Sequence, residues 1–304
     1  MLLTSLALLG GAGGPEILNF NPRVGTTYTL TSTGETSSSV VEARLEPLPG
    51  KTVSQATRAA FEAARSALAQ QFTALNETQT TTQTVRVLPS LPSGEKVVEY
   101  AQTTPVAAGE DVSFSFRQIT AANGATRFEV GNANGDPQVR AILQATFEGQ
   151  QLQDFASQAV RALYGRPLVR GVPQRQRLDL DFKPLFQSLF GVVGVGGNVV
   201  VSGPLSIDNT LTYEGRNGAG QLMFSNASRL SRPVNVRFEV GGQALDLAFE
   251  SLTSADRTTY RSDGLPGASS STSEQTLRLS LPLGDEARAV VRLRLRQVTQ
   301  TSVK

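Results

Sequence analysis

Along most of this chain, apolar and polar residues alternate with a period of two, the pattern of half-buried strands. Two stretches break that rhythm with helical spacing. In 53–75, Phe61, Ala64, Leu68, Phe72 and Leu75 fall on one face, and Thr52 or Ser54 stands where a cap belongs. In 137–164, Ile142, Ala145, Gly149, Leu152, Ala156, Ala159 and Leu163 recur at helical spacing, widened by Phe155 and Val160 into a stripe. Asp136 can cap this second helix and Pro137 fits its first position. Gly165 suits a left-handed residue at its C-terminal end, and Pro167 stops it. Gly149 is the point where it would divide into two shorter helices.

The strand signals are short and separated by turn chemistry. Val112, Phe114 and Phe116 alternate with Ser113, Ser115 and Arg117, and Asn123-Gly124 marks a hairpin into Thr126–Val130. Further hairpins are expected across Asn217-Gly218, across Gly241-Gly242 and near Gly284-Asp285. Thr26–Ser32 and Ser39–Leu45 read as separate strands, and Asp263–Ser273 as a Ser-rich loop. Hairpin spacing makes the sheet antiparallel. The expected class is α+β, with about a dozen strands in a curved sheet or half-barrel and the two amphipathic helices packed on it. Residues 15–304 read as a single β-rich domain, or as two lobes (15–135 and 166–304) joined by the helix at 136–165.

Composition excludes more functions than it names. The chain has no His and no Cys. Imidazole bases, Ser-His-Asp triads, thiol nucleophiles, disulfides and the usual zinc ligands are therefore out of reach. No catalytic residue, cofactor or metal site is expected. A formal charge of +2, from 28 basic and 26 acidic residues, is too weak and scattered a field to imply nucleic acid. Residues 1–14 resemble the apolar part of a signal peptide, with Gly10 and Ala12 small enough for cleavage, although the basic n-region is missing. The expectation is export to a periplasmic or extracellular location. No stretch reaches the roughly 18 apolar residues a spanning helix needs, so the chain is not expected to span a membrane. The two helix signals and the 6% aromatic content argue against a transmembrane β-barrel.

Each candidate for chemistry has a plainer structural reading. Asn132, Asn134 and Asp136 are spaced like the first ligands of a calcium loop, but Pro137 stands where glycine is required, and a turn with a helix cap fits better. Asp179 and Asp181 lie two apart on a strand, as acid–base carboxylates can, and also as any solvated strand face does. Gly191, Gly194, Gly196 and Gly197 lack the last glycine of a dinucleotide loop, because Val199 stands there. Arg288, Arg292, Arg294 and Arg296 share a strand face that could meet an anion or guard a sheet edge.

The strand Arg23-Val24-Gly25-Thr26-Thr27-Tyr28, the helix leading to Pro167 and Val172-Pro173, and the turn from Thr259 to Pro266 resemble an uncharacterised family of bacterial exported β-rich proteins, many of them lipoproteins. The layout is also similar to the half-barrels of periplasmic lipid and lipoprotein carriers. The chain lacks the lipid-attachment Cys of many family members. The resemblance implies a non-catalytic envelope protein with a structural or protein-binding role. The alternative is a carrier holding a lipid or other apolar ligand in the half-barrel hollow, lined by Phe114, Phe116, Leu152, Phe155, Ala159 and Leu163. A hydrolase using carboxylates alone is the third reading. An apolar cavity beneath the sheet would favour the carrier, and a helix filling that hollow would favour the structural role.

Overall fold

The computed structural model describes residues 16–73, 76–104, 112–133, 144, 149–181, 183, 199–240 and 243–304. The leader-like segment and the glycine cluster 191–197 lie outside the described residues. In chain order the elements are β1 (Glu16–Ile17), β2 (Thr27–Pro47), α1 (Gln55–Thr73), β3 (Glu77–Leu88), β4 (Lys96–Thr104), β5 (Val112–Thr120) and β6 (Thr126–Ala133). Then come α2 (Gln150–Leu163), β7 (Pro167–Leu168), β8 (Pro173–Leu180), β9 (Val200–Val201), β10 (Leu205–Arg216) and β11 (Leu222–Leu230). The last four are β12 (Val234–Val240), β13 (Gln243–Tyr260), β14 (Pro266–Leu283) and β15 (Ala287–Val303).

Thirteen strands form one antiparallel sheet, in the order β6-β5-β4-β3-β2-β15-β14-β13-β11-β10-β8, with β12 on β13 and β9 on β12. β1 and β7 pair separately. The class is α+β and mostly antiparallel. One sheet runs through both stretches marked as lobes in the sequence, and its central seam joins β2 to β15 from Leu30↔Val303 to Pro47↔Ala287.

Two strands are longer than their apolar pattern announces. β2 runs unbroken for 21 residues through the Ser/Thr-rich stretch 31–39. There it is hydrogen-bonded to β3 on one side and β15 on the other, so two ladders hold it extended without apolar alternation. The expected Ser-rich loop is likewise strand. The turn is confined to Arg261–Leu265, and Ser269–Ser273 pair with Thr258–Ser254 and Thr301–Gln297.

The second helix is shorter than its stripe. Gly149 is extended (φ −62°, ψ 133°), and α2 begins at Gln150. Glycine loses most conformational freedom in a helix, so the stripe is broken at Gly149, while Gln144 before it is again helical. Residues 137–143 and 145–148 lie outside the described residues. α1 is capped by Ser54, whose Oγ accepts from the Thr57 N–H (3.2 Å). Glu286, from the β14–β15 turn, accepts from the Ser54 N–H (2.9 Å) and the Thr57 hydroxyl (2.8 Å), tying α1 to the sheet. Phe61 is buried and Ala64 half-buried on its apolar face, and the side chains at 68 and 72 lie outside the described set.

The sheet is curved. In a flat sheet, the five steps from β4 to β13 would separate them by about 24 Å. Yet Leu265, in the turn that directly joins β13 to β14, packs with Val98 and Tyr100 of β4. One core cluster joins Tyr28, Leu30, Val85, Val98 and Tyr100 to Leu265 of the β13–β14 turn. A second joins Leu163 of α2 to Leu18, Leu168, Tyr213, Leu222 and Phe224. Phe20 and Tyr164, ring centroids 5.3 Å apart, bridge the two. These two clusters sit at one end of the curved sheet, closed by α2, β1 and β7, and a third, of Val199, Val236 and Phe238, lies where β9 and β12 pack beside the start of β13.

Candidate functional site

The floor of this half-barrel is a cluster of tyrosines. Tyr28, Tyr100, Tyr164 and Tyr260 converge there from β2, β4, the end of α2 and β13. Burial pushes Tyr260 up to about 12 and also raises Tyr28, Tyr100 and Tyr164, so all four are neutral near pH 7. Tyr28 donates to the Pro266 carbonyl (2.9 Å), Tyr164 to the Gly264 carbonyl (2.8 Å) and Tyr100 to Gln118 Oε1 (3.3 Å). These are structural bonds to carbonyl oxygens.

Beyond the floor, the same face of the sheet turns polar. Cross-strand register sets Asn209 opposite Ser228, Asn226 opposite Asp256, Asp256 opposite Ser271, and Ser271 opposite Thr299. These positions are half-buried, whereas Ala255, Arg257, Ser270, Thr272 and Gln300, on the other face of the same strands, are exposed. Asn226 Nδ2 donates to Asp256 (3.0 Å), and Ser228 donates to Asn209 (2.8 Å). Asn226 Oδ1 is buried and has no partner among the described residues. Burial raises the Asp256 carboxyl, and the Asn226 bond offsets only part of that shift. The chemistry here is that of hydroxyls and amides around one carboxyl group.

The six expected lining residues do not form one surface. Phe116 stacks on Tyr100 (5.0 Å) and Phe114 (6.3 Å), at the β2–β4 cluster. Leu163 is buried in the other cluster, against Tyr213 and Phe224. Leu152 and Phe155 are half-buried. Ala159 is exposed, because α2 is docked through Ser157: its Oγ accepts from the Thr126 N–H (2.8 Å) and donates to the Thr126 carbonyl (3.0 Å). That bond pair turns Ser157 and Ala156 inward instead.

The polar candidates resolve into local structure. Asp179 accepts from the buried Ser206 hydroxyl, which lowers its pKa, and pairs with Arg177 (3.4 Å). Asp181 accepts from the Lys183 N–H (3.0 Å), so the two carboxylates serve different partners. The Asn132 N–H donates to Ser115 Oγ (3.0 Å), and Asn134 and Asp136 lie outside the described residues. Arg292 bridges Glu42 (3.1 Å) and Glu250 (2.7 Å), Arg294 meets Glu274 (3.0 Å), and Arg288 reaches Asp246 (4.0 Å). The arginine stripe is thus largely matched by carboxylates of neighbouring strands. The tyrosine floor, Ser157 and the Asn226–Asp256 pair have no signal in the sequence. Their residues meet only through register, across separations such as the 30 residues between Asn226 and Asp256.

A separate cleft opens at the closed end of the sheet. Lys96, Asn123, Gly124, Val160, Arg161, Tyr164, Arg166 and Phe20 are among its lining residues, and its volume is about 530 Å³.

No protein-family model matches this chain, and no curated protein matches it. Among solved structures, a protein of unknown function from the DUF3598 family of Nostoc punctiforme aligns over 88% of this chain and 95% of its own, at 10% identity and a TM-score of 0.10.

Proposed function

We propose that this chain is a non-catalytic exported protein of the cell envelope with a structural or protein-binding role. One observation carries the reading: the apolar end of the half-barrel is filled by the protein's own side chains. Leu18, Leu163 and Leu265 are 1%, 9% and 0% exposed, and they come from the segment just after β1, from α2 and from the β13–β14 turn. A carrier needs apolar volume for its ligand, and here packed leucine and tyrosine take that place. Along the same face, the half-buried Asn209, Asn226, Ser228, Asp256 and Ser271 suit hydrogen bonding rather than an acyl chain, and the half-buried Leu245, Leu247 and Phe249 at the far end of β13 pack on Val199, Val236 and Phe238. The leader-like segment and the resemblance to exported envelope proteins support the location.

The test is to purify the protein from its own envelope, weigh it by native mass spectrometry and extract it for lipid. The expected result is a protein free of stoichiometric lipid, with its N-terminus trimmed within residues 10–15. A lipid or other apolar ligand bound one to one would overturn this reading in favour of the carrier.

A further inference from the structure

We propose that the cleft at the closed end of the sheet binds a short acidic peptide segment of a partner protein, one that carries an apolar side chain beside its carboxylates. The proposal rests on the protein-binding reading above and gives that reading a location. The cleft lies between the start of β4, the β5–β6 turn, the last turn of α2 and the segment after β1. Its volume of about 530 Å³ falls within the range of small ligand sites.

Charge sets the ligand class. Lys96, Arg161 and Arg166 line the cleft, and no lining residue is acidic. Glu95, between the lining residues Gly94 and Lys96, is committed to Arg127 and Ser93, and Asp263, whose backbone carbonyl accepts from the Asn21 N–H, is committed to Arg261 (3.3 Å) and the Leu265 N–H (3.2 Å). Among the described residues, Lys96 and Arg166 make no ion pair. Arg161 spends only its Nε, on the Ser157 carbonyl (3.1 Å). Three arginines elsewhere on the sheet present a contrast, although the exposed Arg175 and Arg296 make no ion pair among the described residues either. Arg237, Arg257 and Arg292 each already have a carboxylate within 3.1 Å. Cations left unmatched around a concavity favour an anionic partner.

Shape and rigidity point to a peptide rather than a free ion. The cleft is also lined by an aromatic wall, Phe20 edge-on to Tyr164 at 5.3 Å. That wall is fixed at three points: the Tyr164 hydroxyl donates to the Gly264 carbonyl, the Gly165 N–H donates to the Leu18 carbonyl (2.8 Å), and Tyr164 packs on Tyr260 (6.4 Å). The β5–β6 turn is equally tight. Gly124 has φ +80°, and a Cβ there would lie 2.6 Å from Arg161 Cγ, so the turn packs closely against the arginine stem. A small anion would use the cations and leave the wall bare. A peptide with acidic residues flanking an apolar one uses both.

The experiment titrates the purified full chain with acetylated Glu-Phe-Glu-Glu, followed by calorimetry at low and moderate salt. The expected result is binding that weakens with salt, falls at least tenfold for Gln-Phe-Gln-Gln, and falls at least tenfold in Lys96→Met/Arg166→Gln. Both mutated side chains are solvent-accessible, so unchanged thermal unfolding confirms the fold. Arg175→Gln, on β8, serves as the control and should bind like the parent. The proposal is overturned if the neutral peptide or the double variant binds as well as the parent pair. It is also overturned if inorganic phosphate or benzoate alone matches the acidic peptide, which would make this a small-anion site. Lipid bound in the native protein would remove the broader functional reading while leaving a positive peptide titration intact. A negative titration of lipid-free protein would remove this site alone.

Discussion

Leu18→Ala tests whether the segment before β2 is an integral part of the closed end. Leu18 is 1% exposed and packs with Leu163, Leu168, Tyr213, Leu222 and Phe224. The substitution removes three carbons, about 2.4 kcal/mol of transfer free energy at about 0.8 per buried methylene. The residual cavity adds to that, so the expected loss is about 3–4 kcal/mol, within the roughly 2–5 found for buried Leu→Ala changes. Its backbone carbonyl, which accepts from the Gly165 N–H, is untouched, so the change isolates packing from hydrogen bonding. Urea unfolding can be followed by tyrosine fluorescence, since the chain has no Trp. With a slope of about 3 kcal/mol per molar, the midpoint should fall by about 1 M at constant slope. Ile17→Ala, at a side chain 45% exposed, should cost no more than about 0.5 kcal/mol. A loss below about 1 kcal/mol for Leu18→Ala would refute the packing argument, and with it the claim that the floor is filled from this side.

Other perturbations probe the same frame. Gly264→Ala places a Cβ 2.4 Å from the Asn19 carbonyl at φ +83°, and should destabilise by roughly 2–3 kcal/mol in thermal unfolding. Ser54→Ala should cost about 1 kcal/mol by loss of the α1 cap, measured by urea unfolding. The Glu286 carboxylate is held below its usual range by the Ser54 N–H first, then by the Thr57 and Ser54 hydroxyls. Its stabilisation is therefore present above the ordinary glutamate range and lost as pH falls through the lowered folded value. Glu286→Gln should be less stable than the parent at pH 7, with the gap closing in acid. Asp256 has the opposite sign. Its folded pKa is raised, so stability falls as pH rises from the ordinary aspartate range through the raised value. Asp256→Asn should unfold at higher temperature than the parent at pH 7, and the difference should shrink below about pH 4.

The hairpins were legible because their chemistry is local. The Asn123-Gly124 turn gives Gly124 φ +80°, and the Asn217 side chain accepts from the Ala219 and Gln221 N–H groups across the β10–β11 turn. The shortening of the second helix was signalled by Gly149 alone. The length of β2 and β14 was hidden because Ser and Thr runs carry no apolar period, and their extension depends on partners more than 200 residues away for β2. The site was less legible still. Phe114 and Phe116 pointed to the correct face of β5, but nothing in the α2 stripe foretold that Ser157 would dock the helix and leave Ala159 outside.

The β2–β15 seam has a consequence for the order of folding. During synthesis β2 emerges early and β15 emerges last, yet they are neighbours at the middle of the sheet. β2 to β6 can zip up as a meander as soon as they appear. Until the last seventeen-residue strand arrives, the unpaired flank of β2 is a long, flat, uncovered template. Contacts this distant in sequence close slowly. The nascent chain therefore faces an aggregation hazard until β15 emerges, which a chaperone on that flank, or a route that keeps β2 unfolded until β15 is free, would relieve.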